Sequence, residues 1–144
     1  MSDANKPPGP PGTGGNENSY FENDVLKPEF VRREDMEPVA EQMARDGLNM
    51  TQLNRFFRHC RRIEFRLRRK ETTWDETRPE VQKLSAHAAD AYGKGQKVPA
   101  SFKKFIDDNV SRTRTERDFI GGFMEHFETL MGFASLYAKK GQRG

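Results

Sequence analysis

At 144 residues, with 33% of them charged and 33% hydrophobic, the chain has room for one domain with a modest core. Its single Cys excludes an internal disulfide framework and fits a reducing compartment. No apolar run approaches the ~18–20 residues that span a bilayer, and the start MSDANKPPGP lacks the basic-then-apolar plan of a signal peptide, so a soluble cytoplasmic protein is expected.

The first 19 residues, MSDANKPPGPPGTGGNENS, hold eight Gly and Pro residues and almost no apolar side chain. Such a segment cannot bury enough surface to offset its ordering entropy, and disorder is expected there. Residues 20–34 begin YFENDVLKPEF and carry enough apolar side chains to dock as an extended arm or a short helix. No alternating run suggests a strand. Residues 35–140 are expected to form the helical domain, with 141–144 a second disordered tail.

The first helix is expected from about Asp35 to Arg45, with Asp35 as cap, Pro38 in the first turn and Gly47 as the stop. The second follows with Thr51 as N-cap. Eleven Phe residues supply much of the core, because each ring buries a large area. After the loop ETTWDETR, whose Trp74 is read as a packing anchor, a third helix is placed from Pro79 to Tyr92. Val81, Leu84, Ala88, Ala91 and Tyr92 share one of its faces, and Gly93 and Gly95 break it.

A fourth helix starts after Pro99, with Phe102, Phe105, Ile106 and Val110 at helical spacing. The fifth spans roughly Glu116 to Lys139. TERD (115–118) resembles a capping box with Asp replacing Glu, and Phe119, Phe123, Phe127, Leu130, Ala134 and Tyr137 form the apolar stripe. Gly121 and Gly122 weaken its first turns, for which a close helix–helix approach is one reason. The fold class is therefore all-α, a compact bundle of four to five helices with a disordered N-terminal tail.

The net charge of +3 conceals an uneven distribution. Thr51–Lys70, TQLNRFFRHCRRIEFRLRRK, carries eight Arg or Lys and one Glu, so it contributes +7 and leaves the remaining chain at −4. Such concentration points to an anionic partner. At about 100° per residue, Leu53, Phe56, Phe57, Cys60, Ile63 and Leu67 fall on one face. Arg55, Arg58, Arg62, Arg66 and Arg69 fall opposite, as a single ridge about 21 Å long at ~1.5 Å per residue. That length follows about three or four phosphates of an extended strand.

Guanidinium groups fork onto phosphate and stack on bases, which ammonium groups do not match. Recognition helices that read sequence mix Asn, Gln, Ser and Thr near one end, whereas this face is Arg along its length, which points to backbone contact. Phe65 lies on the flank of the ridge, where an edge-of-core role is favoured over stacking on a base. A solvated face, a membrane or protein surface and a DNA-binding element remain open on these residues alone.

No catalytic constellation emerges. His59, His87 and His126 are isolated in sequence, and a metal site from His126 with Glu125 and Glu128 is a weak signal. Cys60 sits in the core stripe, as a buried thiol rather than a nucleophile. The only Gly-rich stretch, PPGTGG, lies in the tail. No cofactor, metal or small-molecule substrate is expected, and the protein is read as not an enzyme.

Three blocks in order resemble a known family. MTQLNRFF (50–57) resembles its Thr-Ser-Gln-Ile-Arg-Lys opening of a basic helix, and AYGKGQKV (91–98) its helix ending in Tyr followed by Ala/Gly and Arg. FMEHFETLMGFASLY (123–137) resembles its C-terminal pattern of aromatic, Met-Glu-Ala-Leu and aromatic residues. The family is the small helical subunit of type III-A CRISPR effector (Csm) complexes.

The resemblance implies a non-catalytic bundle repeated along a ribonucleoprotein, in antiviral defence. Its basic helix would line the groove that holds target RNA paired to guide RNA. The partners implied are that RNA, other effector subunits and further copies of the chain itself. Arg55 occupies the Lys place of the first block, and Asn54 stands where the pattern has Arg. Gln96 stands at a second Arg place, with Lys94 and Lys97 beside it. The nucleic-acid-binding set is thus Arg55, Arg58, Arg62, Arg66, Arg69, Lys94 and Lys97. A stand-alone helical DNA-binding regulator and an adaptor for an acidic protein are the alternatives.

Overall fold

The computed structural model describes residues 19–95 and 97–138. The tail expected at 1–19 therefore lies outside the described residues except for Ser19, as do the tail at 141–144 and Gln96. The chain opens with a hairpin, β1 (Phe21–Glu22) and β2 (Val25–Leu26), followed by a 3-10 turn at Pro28–Phe30. Then come α1 (Arg33–Arg45), α2 (Met50–Arg68), α3 (Trp74–Gln82), α4 (Leu84–Gly93) and α5 (Ala100–Arg112). A last helical rod joins α6 (Glu116–Asp118), a π-helical turn (Phe119–Phe123) and α7 (Met124–Tyr137). The domain is all-α as expected, with the hairpin as its one addition.

The hairpin leaves no pattern in the sequence because strands of two residues are too short to show alternation. Its turn residues, Asn23 and Asp24, both have positive φ (53° and 66°), a conformation that Asn and Asp tolerate better than other non-Gly residues. Phe21 pairs with Leu26 and Glu22 with Val25. The hairpin aims two aromatic side chains at the last rod.

There Gly121 and Gly122 find their reason. A Cβ on Gly122 would lie 2.3 Å from Cγ of Tyr20, and one on Gly121 would lie 3.3 Å from the Phe21 ring. The close approach is thus made by the aromatic arm, not by a second helix. The wider π turn, closed by the Met124 N–H on the Phe119 carbonyl, holds both glycines. Arg117 clamps the arm from the side, with its guanidinium 3.9 Å from the Phe21 ring centroid and bonded to Asp24.

Tyr20 is fully buried, and its hydroxyl donates to Oδ1 of Asn109 at 2.6 Å. His126 Nδ1 lies 3.0 Å from the same oxygen, so the ring carries its proton on Nδ1 and donates. Asn109 Nδ2 in turn donates to the Phe105 carbonyl at 2.8 Å, which satisfies the buried amide. Phe30 and Phe105 pack against the His126 ring.

Helix boundaries differ from expectation where capping chemistry competes. α1 starts at Arg33, and Asp35 lies inside its first turn, accepting from Arg32 Nε at 2.7 Å. Pro38 therefore falls in the second turn, on the exposed side, where solvent meets the carbonyl that its missing N–H leaves unpaired. Gly47 ends α1 as expected, at φ 108°.

The third expected helix is two. α3 begins at Trp74, five residues ahead of Pro79, because Thr73 and Glu76 form a reciprocal capping box. It ends at Gln82, and α4 restarts after Lys83. Trp74 is a packing anchor: its ring stands 6.1 Å from Phe119 and its indole N–H donates to the Arg114 carbonyl. TERD forms the expected box, with Thr115 and Asp118 each accepting the other's N–H.

In the assembled domain α7 lies along α1 and α2, and α4 along α5. Phe102, Phe119, Phe123 and Phe127 are wholly buried at the centre. Phe56 and Phe57 of α2 meet Phe102 and Phe127 edge-on, at 5.1 and 5.2 Å between centroids. This contact fixes the rotation of α2 and so decides which of its side chains face outward.

Two outcomes follow for stability. Gly122→Ala is expected to lower it by about 2–3 kcal/mol in chemical denaturation, since neither the Tyr20 ring nor the rod backbone has room to move. Burial, with Arg112 nearby, holds the His126 pKa down to about 3 from 6.5. The folded state then binds fewer protons than the unfolded chain between those pH values. Its contribution is complete above pH 6.5 and falls as the pH drops, by about 1–2 kcal/mol at pH 5. His126→Gln should flatten that part of the stability–pH curve relative to the parent.

Candidate nucleic-acid interface

α2 is set by its cap and its stripe. Asn49, rather than the expected Thr51, is the N-cap, its side chain accepting the Gln52 N–H at 3.0 Å. Leu53, Phe56, Cys60, Ile63 and Leu67 are buried. Burial pushes the Cys60 thiol well above its ordinary pKa, which leaves it a core side chain. Helical geometry ends at Arg68, and Lys70 takes a left-handed φ of 59°. The Glu71 N–H then closes on the Arg66 carbonyl at 2.9 Å, so Arg69 sits just beyond the last turn.

The stripe fixes the opposite face, and acids divide that face in two. Glu64, the helix's one acid, is buried on the flank. Its Oε1 accepts from Arg61 at 2.8 Å and its Oε2 from Arg68 at 2.9 Å, so both oxygens are compensated where water is excluded. Arg61 also reaches Glu128, and its guanidinium lies 4.8 Å from the Phe57 ring centroid. None of this charge offsets the ridge.

Within the ridge, Arg66 pairs with Glu80 of α3 at 2.7 Å and Arg69 with Glu71 at 3.0 Å. Among the described residues Arg55, Arg58 and Arg62 make no ion pair and no side-chain hydrogen bond. Like charges at helical spacing repel by a few tenths of a kcal/mol per pair. Among the described residues the helix sustains that repulsion on three consecutive turns with no ion-paired acid to relieve it.

α4 supplies the second wall. A groove of about 400 Å³ runs between the two helices, lined by Gln52, Arg55, Phe56, His59 and Arg62 from α2. His87, Asp90, Ala91, Lys94 and Lys97 line it from α4 and the segment beyond. Two of the ridge arginines and both lysines expected from sequence are thus brought to one cleft. Arg58, Arg66 and Arg69 do not line it. Lys94 pairs with Asp90 at 3.1 Å on the exposed rim, whereas Lys97 has no ion pair among the described residues. Gln96, at the expected Arg place between them, lies outside the described residues.

His59 and His87 are residues that sequence reasoning left isolated, and here they meet edge to face at 5.7 Å between centroids. The signal for His59 was its spacing, four residues after Arg55 and three before Arg62, on the edge of the ridge. Its Nε2 is buried with no hydrogen-bond partner. Burial lowers the His59 pKa below 6.5, helped by His87, Arg62 and Arg66 and opposed by Glu80. The shift disfavours charge on His59 beneath the cationic rim.

Among the described residues no group of three or more His, Cys, Asp or Glu could hold a metal ion. No helix there is long and apolar enough to cross a membrane. The arrangement offers fixed positive charge, forked donors and a shallow trough, which suit an extended polyanion.

A small helical domain with a cationic cleft beside one Arg-rich helix is the class that fold and surface define. The particular family follows from comparison: a family model described as Csm2 Type III-A matches residues 31–140, and the chain belongs to that family. It is thereby a small subunit of the type III-A CRISPR effector, the Csm complex, and an associate of that complex's other subunits. No curated protein and no solved structure matches the chain. The matched range begins just after the aromatic arm and includes the ridge, the groove and α7.

In a pH titration followed by NMR, the His59 ring is expected to titrate below 6.5. Glu80→Gln, which removes the charge that opposes the shift, should lower it further. A His59 pKa at or above 6.5 would contradict the buried, unpartnered position of Nε2.

Proposed function

We propose that this subunit is non-catalytic and holds the backbone of target RNA, paired to guide RNA, along α2 without reading its sequence. On this reading it serves antiviral defence in the cytoplasm. The set that makes contact is Arg55, Arg58, Arg62, Arg66 and Arg69, joined by Lys94 and Lys97 across the groove. The observation that carries the proposal is the uncompensated charge of Arg55, Arg58 and Arg62. Acids nearby pair on the flanks, and among the described residues those three guanidinium groups have no ion pair and no side-chain hydrogen bond. A phosphate backbone supplies acceptors at the required spacing.

Arg66 and Arg69 enter this reading as a second rank. Each would exchange a partly exposed ion pair for phosphate, and such pairs contribute about 0–1 kcal/mol. The exchange is nearly neutral, so the gain rests on the unpaired three and Lys97. With about four phosphates neutralised, the log–log dependence of affinity on salt should have a slope near −3 for a single strand.

Arg58→Glu combined with Arg62→Glu is expected to abolish RNA binding by the full chain, measured by fluorescence anisotropy, with helical circular dichroism unchanged. Both side chains are exposed, so the substitution leaves the core intact. Binding that survives the double reversal removes the ridge as the site. Strong preference for one duplex DNA sequence would assign the helix to a regulator. Loss of an acidic protein partner with RNA affinity intact would assign it to an adaptor.

A further inference from the structure

We infer that Phe65 is a stacking platform for an unpaired nucleobase, set into the Arg ridge. The inference rests on the reading of α2 as an RNA-backbone surface and adds to it a contact with a base. Phe65 is 55% exposed, so the edge-of-core role expected from sequence is not the one it has. Its ring stands on the same stripe as the cations: Arg58 is seven residues before it, Arg62 three before, and Arg69 four after. The Arg69 guanidinium lies 5.4 Å from the ring centroid, covering part of it. More than half of the side chain is left to solvent.

An exposed Phe forgoes the burial that stabilises an apolar side chain in a core. The other large apolar side chains left exposed among the described residues are Val25 at the hairpin, and Leu136 and Tyr137 at the end of α7. Tyr137 is occupied, its hydroxyl donating to Glu37. Phe65 alone of these has cations one turn away on either side. That grouping matches a nucleotide, whose phosphates take the guanidinium groups while its base presents an apolar π face. In a fully paired duplex both faces of a base are already stacked. Phe65 therefore acts on nucleotides that are unpaired or displaced from the stack.

The test compares full-length protein with Phe65→Ala and Phe65→Tyr. The probes are labelled single-stranded RNA, its perfect duplex, and an abasic strand of equal length. Phe65→Ala is expected to weaken single-strand binding about tenfold, at the low end of measured base–aromatic stacking. Phe65→Tyr should retain it, and duplex and abasic binding should be nearly unchanged by either substitution. The parent should bind the abasic strand more weakly than the normal strand by the same factor.

Equal single-strand affinity of the parent and Phe65→Ala overturns the inference while leaving the ridge reading intact. So does an equal loss on the abasic strand. Loss of association with other effector subunits, with RNA affinity kept, would make Phe65 a protein contact and overturns it too. Absence of any RNA binding by the parent protein overturns both readings, and Arg58→Glu with Arg62→Glu separates that case from a failure confined to Phe65.

Discussion

Like-charge repulsion along α2 is the constraint around which the domain is arranged. One helix must bury an apolar stripe and hold six arginines at its surface or flank, with Arg69 just past its end. The packing resolves this by position rather than by neutralisation. Glu64 is drawn to the buried flank and shared by Arg61 and Arg68, while Glu80 and Glu71 hold the C-terminal end of the ridge. Among the described residues, what remains without an ion pair is one continuous strip over Arg55, Arg58 and Arg62. The edge-to-face rings of Phe56 and Phe57 in the core keep that strip facing outward, because rotation of α2 would break both contacts.

The second wall is supplied by α4 and the segment that follows it, with Leu84 and Ala88 buried and His87, Lys94 and Lys97 lining the groove. Charge on two facing walls makes a cleft rather than a stripe, and a cleft with low-dielectric walls focuses its field.

Much of this was legible in the sequence. The 3, 4, 4, 3 spacing of the arginines and the apolar spacing opposite gave α2 and its two faces, because periodicity is local and survives without tertiary information. TERD and Gly47 marked their helix ends for the same reason. Thr73 and Glu76 carry an equally local capping signal, with which Pro79, itself a common helix-start residue, competes. The hairpin was too short for its pattern to register.

Tertiary placement was the part not legible. Which arginines are tied depends on where α3 sets Glu80, and the pairing of His59 with His87 depends on the approach of α4. Phe65 sits at an angle on the wheel that fits either a core edge or a surface. Only the rotation of the packed helix decides between them.

The seating of Tyr20 against Gly122 bears on the order in which the domain forms. The Tyr20 hydroxyl meets Asn109 89 positions further along the chain, so loop-closure entropy delays this contact until the helices it joins already stand. The glycine slot exists only once the π turn has formed, which makes the arm a closing step rather than part of a nucleus. Strength gained or lost there acts chiefly on how long the folded state persists, and little on how quickly it is reached.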